Sequence, residues 1–241
     1  CFSKRPNGYG LAQHRGGPCG VLAGIQAHLF DELLLRSNDG AKGESGWADP
    51  DDEAREDALC AAVARIVARS GGGAARVCVP SERPHVDRSA TYAPDGLTER
   101  IKIYDVESAA EAETVMRHHL ADFLAPEGPG CLLVLYSALL SRTVAGCRRD
   151  MDEADRSLVD RHGYASQEAV NLLLVGKACS NVFDGDRTLS DEVRGSSDAV
   201  ILKGVPRTAD VGLLTLHEAY GQSPVGDRLK RPRRPVWVVY S

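Results

Sequence analysis

The sequence predicts an α+β fold. Segments with apolar residues at three- and four-residue spacing stand among short runs rich in Val, Ile and Leu, so both element types are present. They follow one another in irregular order, without the steady strand–helix alternation of a doubly wound parallel sheet. The composition, 43% hydrophobic and 26% charged over 241 residues, is that of an ordinary globular chain with ample length for a buried core. With no internal repeat and no sharp change in composition, residues 1–241 read as one domain.

Cys19 to Leu35 is a predicted helix, because Val21, Leu22, Ile25, Leu29, Phe30, Leu33 and Leu34 recur on one side. Pro18 disfavours helix in the residue before it, so the helix opens about there. A Gly- and Asp-rich loop is expected over 37–52. Asp51 to Arg69 is a second helix, acidic at its start and basic at its end, and Gly71-Gly72-Gly73 stops it. Arg76 to Val79 reads as a strand, 80–98 as a loop, Arg100 to Val106 as a strand and Glu107 to Leu124 as a helix. After a turn at Pro126–Gly130, Cys131 to Tyr136 is expected as a buried strand running into a helix-like SALLSR. Gln167 to Gly176 is helical, Ala199 to Lys203 a strand, Ala209 to Tyr220 a helix and Val236 to Tyr240 the last strand. Cys1 in place of Met, and an ending in VWVVYS, suggest a fragment boundary at each end.

A net charge of −5 argues against a broad nucleic-acid footprint. The longest strongly apolar run, CLLVLYSALL at 131–140, is short of the roughly 20 residues a membrane helix needs, and no signal-peptide pattern opens the chain. Neither a nucleic acid nor a membrane is therefore an expected partner. The seven cysteines show no CxxC or zinc-type spacing, which points to reduced thiols in the cytoplasm or nucleus, with no metal and no cofactor.

One stretch carries chemistry: LAQHRGGPCGVLAG at 11–24. Cys19 is framed by Gly16, Gly17, Pro18 and Gly20, and Gln13 lies six residues ahead of it. A thiol at the start of a helix meets unpaired N–H groups and the positive dipole end. Gln13 can donate its amide to an oxyanion formed when the thiolate attacks a carbonyl, and the Cys19 N–H is the expected second donor. Bringing a thiol from about 8.5 to about 4 takes roughly 6 kcal/mol, and a helix terminus supplies at most about 2. A histidine must supply the rest. Of His14, His28, His85, His118, His119, His162 and His217, none lies on a late strand. The Gln-x5-Cys spacing resembles that of papain-like cysteine proteases, which implies a mixed sheet packed with helices and the active-site Cys at a helix N-terminus.

The segments GLAQHRGGPCGVLAGIQAHL, LLVLYSALLSRT, HGYASQEAVNLLLVGKACSNVFDGD, ILKGVPRTADVGLLTLHEAYG and VGDRLKRPRRPVWVVYS resemble the MINDY deubiquitinases, nearer the third and fourth members. The resemblance is strong over 8–36 and 131–241 and weak over 37–130. It implies that Cys19 is the nucleophile and Gln13 the oxyanion-hole residue. The substrates implied are ubiquitin and polyubiquitin, with lysine-48-linked chains preferred. The family's histidine falls a few residues after the position matched by Ser241, which implies that this stretch alone lacks its base. The alternative is a non-catalytic ubiquitin-binding pseudoenzyme scaffold.

Other motifs have plainer readings. RLKRPRRP at 228–235 is a solvated loop before it is a nuclear signal, His118-His119 is a helix face before half a metal site, and SNVFDGD is turn chemistry.

Overall fold

The computed structural model describes residues 1–4, 8–13, 17–38, 47–84, 93–189 and 200–240. Helix α1, Cys19–Asn38, packs against α2, Asp52–Gly71. Asp51 caps α2 by accepting from the Ala54 N–H at 2.8 Å, and Gly72 closes it at φ 76°. The glycine run thus ends the helix as its spacing predicts. Of the two expected loops, 39–46 and 85–92 lie outside the described residues, and α1 extends two residues into the first.

Strand β1, Ala75–Pro80, pairs antiparallel with β2, Ile101–Val106. The helix expected over 107–124 is divided at His119 into α3, Ala109–His118, and α4, Leu120–Leu124. A correction follows at α5, Gly130–Arg142, which contains the Cys131–Tyr136 segment expected as a strand. A wholly apolar run has no period to separate strand from helix. Here its continuation to 13 residues and its burial on several sides decide for helix, with Leu133, Val134, Leu135 and Ala138 all buried. Ser137 makes this tolerable by donating to the Leu133 carbonyl at 2.7 Å and accepting from the Cys78 N–H at 2.8 Å.

Next come α6, Val144–Asp150, and α7, Gln167–Val175, capped by Ser166. Strand β3, Arg187–Leu189, pairs antiparallel with β4, Val200–Leu202. The helix expected over 209–220 is corrected to strand β5, Gly212–Thr215, followed by the single turn α8, Leu216–Ala219. Gly212 has Leu229 and Trp237 pressed against it, a close approach that only a residue without a Cβ allows. Thr215 then caps α8 by accepting from the Glu218 N–H at 3.2 Å. The chain passes through α9, Asp227–Lys230, to β6, Trp237–Tyr240, which runs parallel to β5 with Thr215 opposite Tyr240. The mixed sheet of the sequence reading is, among the described residues, three separate two-stranded sheets.

Two apolar clusters share α1. Val21, Ile25, Leu29 and Leu33 face the first, with α2, α5 and β1. Ala27 faces the second, formed with α7, β5 and β6, and Ala23, Phe30 and Leu34 pack at its edge. The basic run 228–235 is tied down within the fold: Lys230 pairs with Glu218, Arg233 with Asp210 and Arg234 with Asp31, while Arg228 donates to the Val205 carbonyl.

Candidate active site

The first residue of α1 is Cys19, and its side chain is exposed. Pro18 begins the helix by accepting from the Val21 and Leu22 N–H groups. The Cys19 N–H donates to the Gly17 carbonyl at 2.8 Å, and the thiol donates to the same oxygen at 3.4 Å. The second oxyanion donor expected from sequence is therefore committed to Gly17. Sequence spacing has no signal for that commitment, because it depends on the turn at Gly17–Pro18.

Gln13 is exposed and lies across Gly17: a Cβ placed on Gly17 would come within 3.3 Å of the Gln13 amide nitrogen. The segment carrying Gln13 is fastened to α1. Gln26 accepts from the Leu11 N–H at 2.5 Å and donates to the Tyr9 carbonyl at 3.3 Å. Tyr9 packs with Phe30 and Trp47, at ring separations of 5.0 and 6.0 Å. Residues 14–16, which include His14 and Gly16, lie outside the described residues.

Gly20 and Gly163 mark how closely other chain segments approach. A Cβ on Gly20 would meet Val170 at 2.9 Å and Ala165 at 3.2 Å, so the start of α1 packs directly on the 159–165 hairpin and α7. Gly163, at φ 86°, places that hairpin against the Cα of Gly17. On the other side, a cavity of about 240 Å³ is lined by Gln13, Gly17, Pro18 and Leu22 from around the start of α1, and by Gly130 and Cys131 from the start of α5.

No described histidine hydrogen-bonds to Cys19. His28 is buried on α1 and meets the Leu173 carbonyl and Arg69, and its burial pushes its pKa well below the ordinary imidazole value. His119 contacts Asp122 and Tyr104, and His162 sits in the 159–165 hairpin. His217 contacts Gln222 at 3.1 Å and stacks on Tyr240 at 5.8 Å. Among the described residues, no group of three or more His, Cys, Asp or Glu is placed to hold a metal ion.

Strand β6 packs against α1. Arg234 lies 3.8 Å from Asp31, and Val236 and Val238 pack in the cluster that holds Ala27. His217, two residues past the end of β5, stacks on Tyr240 at the end of β6.

A family model described as "Deubiquitinating enzyme MINDY-3/4, conserved domain" matches residues 2–241. The chain belongs to the MINDY-3/4 family. It is 38% identical over 235 residues to a mouse protein named probable ubiquitin carboxyl-terminal hydrolase MINDY-4, covering 97% of this chain and 31% of that protein. The bovine MINDY-4 protein is 39% identical, again over 97% of this chain and 30% of its own length. Mouse ubiquitin carboxyl-terminal hydrolase MINDY-3 is 32% identical over 257 residues, with 97% of this chain and 55% of that protein covered. The chain thus spans about a third of its MINDY-4 relatives and about half of MINDY-3. No solved structure matches it. MINDY-3/4 membership extends across 37–130, where the motifs readable in sequence were weak.

Proposed function

We propose that this chain is the catalytic portion of a cysteine deubiquitinase acting on polyubiquitin, with Cys19 as nucleophile and Gln13 as oxyanion donor. The observation that carries the reading is an exposed thiol on the first residue of a twenty-residue helix, with the Gln13 amide laid across the glycine beside it, in a chain matched to the MINDY-3/4 model from residue 2 to 241. The arrangement supports a papain-like site.

In this reading the Cys19 thiol gives its proton to a base, and the thiolate attacks the carbonyl of ubiquitin's C-terminal glycine. The oxyanion accepts the Gln13 amide N–H. For the Cys19 N–H to join it, the Gly17 carbonyl must turn aside. Collapse expels the lysine amine, which takes up the proton, and water then hydrolyses the thioester. The preference for lysine-48-linked chains and a cytoplasmic or nuclear setting belong to the same proposal.

The test is ubiquitin bearing an electrophilic C-terminus, offered to the whole protein. Labelling of Cys19 that disappears in Cys19→Ala is expected. Tight ubiquitin binding without labelling would instead establish the non-catalytic scaffold, a reading supported by the commitment of the Cys19 N–H and by the lack of a hydrogen bond to the thiol from any described histidine.

A further inference from the structure

Gln13 sits on no helix. It follows an antiparallel pair of short segments, in which Phe2 and Leu11 face each other across an isolated bridge. The Ser3 N–H donates to the Gly10 carbonyl at 2.7 Å, and the Ala12 N–H to the Cys1 carbonyl at 2.8 Å. The Tyr9 carbonyl and the Leu11 N–H, on either side of Gly10, are taken up by a single side chain instead. Gln26 Oε1 accepts from the Leu11 N–H at 2.5 Å, and Gln26 Nε2 donates to the Tyr9 carbonyl at 3.3 Å. A carboxamide carries both an acceptor and a donor, so Gln26 serves these two groups as a neighbouring backbone would. Gln26 is seven residues beyond Cys19 on α1, about two helical turns, so the two side chains leave the same face of the helix. The helix that presents the thiol therefore also grips the chain two residues ahead of Gln13. Arg55 of α2 holds the same pair elsewhere: it donates to the Gly8 carbonyl at 3.2 Å and lies 4.6 Å over the Phe2 ring. The pair thus keeps a second anchor when Gln26 is changed.

We propose that Gln26 is a positioning residue, which fixes Gln13 against the Cys19 end of α1 by holding the Tyr9 and Leu11 peptide groups. The kinetic consequence rests on the reading of Cys19 as nucleophile and Gln13 as oxyanion donor, whereas the anchorage itself does not. Gln26 acts through Gln13: an amide donor displaced by about 1 Å stops meeting the oxyanion while the ubiquitin tail still binds. Leucine in place of Gln26 keeps most of the bulk and removes both hydrogen bonds. Glutamate keeps the acceptor for the Leu11 N–H and sets a second oxygen, with no proton to give, against the Tyr9 carbonyl.

The experiment measures polyubiquitin cleavage and backbone hydrogen exchange on the whole protein and its variants. Gln26→Leu is expected to lower kcat by about 10- to 100-fold with KM changed less than about twofold, and Gln26→Glu to fall between it and wild type. In a Gln13→Ala background, Gln26→Leu should cost less than about twofold, because the donor it positions is gone. Exchange in the peptide that carries Leu11 should quicken in Gln26→Leu while exchange in α2 stays at the wild-type rate. Equal losses in the two backgrounds, a rise in KM without a fall in kcat, or unaltered exchange at Leu11 overturns the proposal. Quickening that spreads through α2 in both Gln26 variants makes Gln26 a general stabiliser and overturns it as well. A wild-type protein that cleaves no chain sinks the deubiquitinase reading, and the exchange measurement then decides the anchorage alone.

Discussion

The Gly17 carbonyl accepts from both the amide N–H and the thiol of Cys19, so one peptide group holds both ends of that residue. The Gln13 amide nitrogen lies beside Gly17, 3.3 Å from where a Cβ on that glycine would sit. A donor used only as charge develops acts on turnover and not on ground-state binding. Gln13→Ala is therefore expected to lower kcat for polyubiquitin cleavage by about 100- to 1000-fold while KM changes little. A matching rise in KM, measured in the same steady-state assay, would assign Gln13 to substrate binding. Cys19 and Gln13 could be proposed from the sequence because a thiol nucleophile needs a helix start, small neighbours and a side-chain amide, each a residue type at a fixed offset, and the structure puts Cys19 first in α1. The partner of the Cys19 N–H was not legible, since it depends on how the Gly17–Pro18 turn is wound.

At the level of elements, ends and close approaches set the geometry. Gly176 closes α7 at φ 71°, and a Cβ there would come within 2.7 Å of the Arg69 carbonyl and 3.0 Å of the Arg207 guanidinium. Arg69 and Arg207 themselves donate to the last carbonyls of α7: Arg69 to Leu174 at 3.0 Å and Arg207 to Val175 at 2.8 Å. Gly176→Ala adds left-handed strain to a backbone collision and should destabilise the protein by about 2 kcal/mol, read as a lower urea midpoint with unchanged slope. The glycines and caps that end α2 and begin α7 were readable because they act on their own helix. The two misread elements failed for nonlocal reasons. Residues 131–136 are apolar on every side, so only what α2, β1 and α7 pack around them makes them helix. Residues 212–215 become strand because β6 arrives beside them from more than twenty positions later, and the Thr215–Glu218 cap was the local sign that a helix starts only after them.

Across the whole molecule a buried polar seam joins the two halves. His28 on α1, Arg65 and Arg69 on α2, the Leu173 and Leu174 carbonyls of α7, and Asp210 ahead of β5 meet there, with Asp31 and Glu32 paired to Arg65. His28 Nδ1 is buried with no hydrogen-bond partner. Burial first, then the charges of Arg69 and Arg65, hold His28 neutral in the fold, so its folded pKa lies below its unfolded one. The unfolded chain accordingly binds the proton first. The stability is intact above about pH 6.5 and falls by about 1.4 kcal/mol per unit as the solution is acidified below it. Asp31, whose carboxyl burial pushes up, works in the opposite sense in wild type and variant alike. Urea titrations at pH 7 and pH 5 should show a larger fall for wild type than for His28→Gln, and parallel lines would remove His28 as the source of that acid sensitivity. The helix that presents the thiol thus has a packed wall on two sides and a charged hinge-pin through its middle. It has no slack to tilt or slide toward an incoming protein tail. Cys19 therefore meets that tail as a fixed anvil.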